Sequence, residues 1–168
     1  DFIFAEVWTR PRLDLRSRYL ISLAGAATSD TPDEILDGYV HGALATGELS
    51  LLELREAAAH LAIYAGWSRA AVLDNAVSRV VASRGLQEER FAPVREAPWD
   101  EQTRLQDGAR SFENVMTFSG PPPATAYFEG GILNFVFGEI WARPGLDQRG
   151  RRWVTLVGVA DSSAATPI

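Results

Sequence analysis

The chain has 168 residues, a net charge of −6, no cysteine, and 16 basic residues that are all arginine. The negative balance argues against a nucleic-acid partner, which needs clustered positive surface. The lack of cysteine removes disulfides, thiolate catalysis and zinc–thiolate sites.

An apolar content of 46% is enough for a packed core. No apolar run reaches the roughly 18 residues of a membrane span, so no membrane partner and a cytoplasmic setting are expected. No signal peptide is visible. The chain opens in mid-pattern without Met, as a trimmed or processed product would.

After the opening "DFIFAEVWTRP", helical spacing of Leu15, Tyr19, Leu20 and Leu23 predicts a helix over 14–27. In the next segment Asp30 or Thr31 can cap, Pro32 fits the first turn, and Asp33 and Glu34 suit the positive end of the helix dipole. Gly47 is the predicted stop. Ser50 with Glu53 forms a capping box ahead of an Ala- and Leu-rich helix that Gly66 breaks. A further helix runs from a Ser68 cap to Gly85.

The stretch from Leu86 to Asp100, charged and without period, reads as a linker. Helix returns over 101–118, is interrupted by "SGPPPA", and resumes in "TAYFEGGILNFVFGEIW". No hairpin signal appears. The predicted class is all-α, with a first part over 1–86, a linker over 87–99 and a second part over 100–168.

Residues 2–27 align without gaps to 135–160 at an offset of 133, with thirteen identities. These include Glu6/Glu139, Trp8/Trp141, Arg10/Arg143, Asp14/Asp147 and Arg18/Arg151. This is a duplicated supersecondary unit. The first copy continues into further helices, and the second is preceded by a helical lead-in. Each copy therefore reads as part of a module, and the two parts are complementary.

The run Glu6 to Arg18, then Ala43-Leu44-Ala45-Thr46-Gly47, Glu53 with Glu56, and His60-Leu61-Ala62-Ile63-Tyr64-Ala65-Gly66 resembles the carboxymuconolactone decarboxylase family. The resemblance implies a helical bundle of the alkylhydroperoxidase D-like type carrying a duplicated segment. It also implies a homo-oligomer formed through helix packing and a small-molecule site between helices, without a cofactor. The first half reads as the C-terminal part of one such module and the second as the N-terminal part of another.

The redox relatives' Cys-x-x-Cys positions fall at Pro32 and Ile35, so peroxidase chemistry is excluded. A family histidine falls at Tyr39, with His41 two places on and therefore on another helix face. A phenol is a poor proton carrier near neutral pH.

Glu56 and His60 form an i,i+4 pair in which a carboxylate can orient an imidazole for acid–base work. A packing histidine is the plainer alternative. His41 and Tyr39 are the other catalytic candidates. Glu53, Glu56 and His60 span two turns, but nothing else supplies histidine ligands, so no metal is expected.

Trp8 and Trp141 can wall an apolar pocket, and Arg10 and Arg143 can hold a carboxylate, beside Glu6 and Glu139. A Glu–Arg bridge and Trp plug that organise a helix junction explain the same set. Tyr64 and Trp67 read as core or interface aromatics before substrate-stacking ones. Arg16, Arg18, Arg149 and Arg151 read as solvated or subunit-bridging charges.

The expected function is a cofactor-independent decarboxylase-like enzyme acting on a small cyclic or aromatic carbonyl or carboxylate substrate. Its chemistry would be decarboxylation, cyclisation or lactone opening, in a secondary-metabolite pathway. The alternative is a non-catalytic ligand-binding or assembly relative.

Overall fold

The computed structural model describes residues 2–88, 90, 92–93 and 100–162. The 87–99 linker lies largely outside them, as does 163–168. The described residues form eight helical elements and no strand. In chain order they are π1 (Phe2–Val7), α1 (Leu15–Thr28), α2 (Asp33–Thr46), α3 (Leu51–Ala65), α4 (Trp67–Arg84), α5 (Glu101–Met116), π2 (Tyr127–Ile140) and α6 (Gln148–Asp161).

The helix ends follow local chemistry. The Asp14 carboxylate caps α1 by accepting from the Ser17 N–H at 2.7 Å. Ser50 and Glu53 close the predicted capping box on α3. Gly47 and Gly85 end α2 and α4 in the left-handed region, at φ 72° and 60°. Two caps differ from expectation. Pro32, not Asp30 or Thr31, precedes α2 and offers no side-chain cap. Helix α4 starts at Trp67 behind Gly66 rather than after Ser68.

The two π-helices were not predicted. Both copies of the repeat make the same i→i+5 bond, Trp8 N–H to Ile3 O and Trp141 N–H to Val136 O, each at 2.9 Å.

The chain divides into two compact units. The first holds Asp1–Glu89 and Arg149–Ile168, the second Arg90–Gln148. In the first, α1 packs on α2, α3 and α4, and α4 also packs on α2 and α3. Its core is Leu20, Leu23, Leu36, Val40, Leu54, Leu61, Leu73 and Val77. All of α6 except its first residue belongs to this unit, with Val154 buried.

In the second unit α5 lies on π2, burying Phe112, Leu133, Phe137 and Ile140. Gly108 makes that approach possible: a Cβ there would stand 1.9 Å from the Leu133 carbonyl oxygen. No helix among the described residues is long and apolar enough to cross a membrane.

Candidate functional site

The capping box fixes where α3 begins, and the helical repeat then puts Glu56, His60 and Tyr64 on one stripe. Helix α6 meets this stripe in register, running the same way. Arg151 pairs with Glu56 at 3.5 Å. The Thr155 hydroxyl and His60 Nε2 share a hydrogen bond of 2.9 Å. One turn on, Gly158 lies against Tyr64, where an added Cβ would sit 2.9 Å from the Tyr64 Cβ. Tyr64 flanks the imidazole, with ring centroids 5.3 Å apart.

Three members of this cluster are shut off from water, while Thr155 and Tyr64 are half-buried. His60 is 0% exposed, and Glu56 and Arg151 are each 1% exposed. Burial, and after it the positive charge of Arg151, push the His60 imidazole from its usual 6.5 down to about 3, against a backbone hydrogen bond at Arg151 that pulls it up. His60 is therefore neutral at pH 7. A buried carboxylate beside a buried guanidinium is neutralised locally, which is the condition for keeping either charge inside.

The sequence singled out Glu56, His60 and Tyr64 but missed Arg151 as a buried partner and missed Thr155. Arg151 reads as a surface charge in sequence and is instead the largest fully buried side chain. Arg16 is half-buried and pairs with Glu53 at 2.8 Å, whereas Arg149 is solvent-exposed as expected and pairs with Asp14 at 3.1 Å.

The remaining candidates sit elsewhere. Trp8 stacks on Tyr39, centroids 5.8 Å apart and planes within 5°, and meets Tyr19 edge-on at 5.0 Å. Tyr39 is half-buried in that aromatic group, while His41 is exposed on another face of α2. Glu6 and Arg10 are exposed, and no ion pair joins them.

In the second unit Glu139 is buried and pairs with Arg104 at 2.5 Å. Trp141 stacks on Phe137 at 5.9 Å. The Arg143 guanidinium donates to the Ala92 and Pro93 carbonyls at 3.0 and 3.4 Å. Trp67, expected as core or interface, is 73% exposed. Among the described residues no three His, Cys, Asp or Glu side chains group closely enough to hold a metal ion.

An open groove of about 420 Å³ between α1 and α6 is lined by Ile21, Gly25, Trp153 and Val157 among others. It includes none of the His60 cluster.

The described residues are all-helical, which is consistent with a helical bundle of the alkylhydroperoxidase D-like class. Residues 1–78 match the model of the carboxymuconolactone decarboxylase family. The stretch carries Tyr39, Glu56, His60 and Tyr64; Arg151 and Thr155 lie beyond it. No curated protein and no solved structure matches the chain.

Proposed function

We propose that the chain is a cofactor-independent acid–base enzyme of the decarboxylase type, acting on a small carbonyl or carboxylate substrate at the α3–α6 cluster. One observation carries this reading: Glu56, His60, Arg151 and Thr155 converge inside a helix pair where apolar residues would pack at lower cost.

A neutral imidazole can give or take a proton at Nε2, with the Thr155 hydroxyl as the neighbouring relay. A buried guanidinium can stabilise the enolate that decarboxylation or lactone opening creates. Glu56 holds that guanidinium in place. For a substrate to enter, the Thr155 side of α6 must yield, and half-buried Tyr64 marks the adjacent edge.

A second reading is favoured by the full burial of His60. In it the cluster is an interior polar lock, and the chain serves in assembly as a homo-oligomer or in ligand binding. One experiment separates the two. The native chain and His60→Gln are assayed on a panel of lactones and β-keto acids, with circular dichroism as the control. Turnover by the native chain that drops at least a hundredfold in a folded His60→Gln supports the enzyme. A folded native chain with no turnover on the panel sinks it and leaves the lock.

A further inference from the structure

Helix α6 has two faces. Gly150, Arg151, Val154 and Gly158 are buried on the side that carries the cluster. Arg152, Trp153, Leu156, Val157, Ala160 and Asp161 follow one another at steps of one and three on the other side, all exposed or half-buried. The middle of this strip is apolar, and Leu156 is 59% exposed. Beside it runs the groove of about 420 Å³, which Ile21 and Gly25 of α1 close. Gly25 leaves room there: an added Cβ would meet only Val157, at an ordinary 4.0 Å. A protruding leucine and a hollow thus stand side by side on one face. Such a face can mate with a copy of itself about a two-fold axis, each leucine entering the other's groove.

The charges fix the direction of the partner. Arg149, Arg151 and Arg152 stand in the first turn of α6 and Asp161 in its last, with no acid at the start and no base at the end. Both signs oppose the helix dipole, whose positive end is the N-terminus. Within the chain Glu56 answers Arg151 and Asp14 answers Arg149. Asp161 is exposed and makes no ion pair among the described residues. A second α6 laid antiparallel reverses the mismatch, because it brings its arginine end to this Asp161 and its own aspartate to this arginine end. A register centred between Leu156 and Val157 sets Arg152 against the partner's Asp161 and Trp153 against the partner's Ala160, charge on opposite charge and large on small. A parallel pair would set like charges together. A second copy carries the complementary pattern by identity.

We propose that the chain pairs with a second copy of itself through the outer faces of α6, antiparallel, with Leu156 of each copy in the α1–α6 groove of the other. The seam lies on the reverse side of the helix that brings Arg151 and Thr155 to Glu56 and His60, so pairing holds that helix over the cluster. The seam itself does not depend on the cluster being catalytic.

The test is sedimentation velocity of the full chain at about 1 to 100 μM. The expected result is a reversible dimer of twice 18.4 kDa. Leu156→Asp, at an exposed position, should weaken pairing at least tenfold. Gly25→Leu should do the same, because it fills the groove while replacing a helix glycine with a better helix former. Arg152→Asp and Asp161→Arg should each weaken pairing about tenfold. An equimolar mixture of these two variants should dimerise again, since one copy of each restores both opposite-charge contacts. Circular dichroism checks every fold, and as a dilute monomer Asp161→Arg should unfold no earlier than the native chain, its charge then suiting the helix end.

Three results overturn the proposal. One is a native chain that stays monomeric at about 100 μM, which leaves the groove to another occupant. Another is a dimer indifferent to Leu156→Asp and Gly25→Leu, which places the contact on a different face. The third is a pair of charge variants that dimerise like the native chain, or that lose the dimer and do not regain it on mixing; the antiparallel register is then wrong.

Discussion

Residues 2–27 and 135–160 match at thirteen of 26 aligned positions, yet matched residues end in different surroundings. Arg18 ties the turn before α1 together, its guanidinium donating to the carbonyls of Val7 at 2.9 Å and Leu13 at 3.2 Å. Its counterpart Arg151 is buried against Glu56. Phe4 is exposed and Phe137 is core. Leu23 is 1% exposed and its counterpart Leu156 is 59% exposed. What the copies share is backbone: a π turn, then a left-handed residue (Arg12 at φ 82°, Gly145 at φ 97°), then an α-helix. The repeated motif specifies local geometry, and the neighbours supplied by the rest of the chain decide what each side chain does.

The sharpest way to break this comparison is at the paired arginines. Arg151→Ala strands the Glu56 carboxylate in the interior and should cost about 3–5 kcal/mol in guanidinium unfolding. Arg18→Ala removes partly exposed hydrogen bonds and should cost about 1–2 kcal/mol. Equal losses would refute the different roles. Replacing the pair together, Arg151→Met with Glu56→Leu, should recover most of the larger loss, because no buried charge is then left alone.

The paired phenylalanines come next. Phe137→Ala opens a cavity against Phe112 and should cost about 3 kcal/mol or more. Phe4→Ala should stay within about 0.5 kcal/mol.

The buried histidine gives a pH test on the α6 side. The folded state holds His60 neutral down to about pH 3, whereas an unfolded chain protonates it near 6.5. Between these values the unfolded state binds more protons, so stability rises with pH, and it falls as pH drops from 6.5 towards 3. The contribution is about 1.4 kcal/mol per pH unit over that window. His60→Gln should flatten this acid limb by close to one proton; an unchanged slope would show that His60 titrates normally.

The smallest expected effect concerns the left-handed turn. Arg12 sits where the second copy has glycine, so Arg12→Gly should raise stability by up to about 1 kcal/mol, and Gly145→Ala should lower it by a similar amount. A destabilising Arg12→Gly would mean that the arginine side chain outweighs its backbone strain.

Much of the fold was legible because its signals are local. Ser50 with Glu53, Gly47 and Gly85 mark helix ends within a turn of themselves, and they fall where expected. The π character of 2–7 and 127–140 was not legible, since one extra residue per turn leaves no distinct apolar period in so short a run. The candidate site was half legible. Glu56 and His60 declare themselves by spacing on one helix. Thr155 lies 95 residues from His60, and nothing short of the packed structure joins them. The repeat did flag Arg151, but through its likeness to Arg18, whose own surroundings are half-open. For Trp67 the sequence left core and interface both open, and its 73% exposure removes only the core reading, because an aromatic at a helix junction carries no mark of which side faces the core.

Glu53 has a consequence for how the first unit assembles. Its carboxylate closes the capping box of α3 on the Ser50 N–H at 2.7 Å and also binds Arg16 of α1 at 2.8 Å. Starting α3 and docking it on α1 thus draw on one side chain, so the helix is stabilised most when its neighbour is already present. That coupling favours a folding nucleus in which α1 and the first turn of α3 form together. Glu53→Gln keeps a box-competent side chain while removing the ion pair, and so would separate the rate of helix initiation from the rate of helix docking.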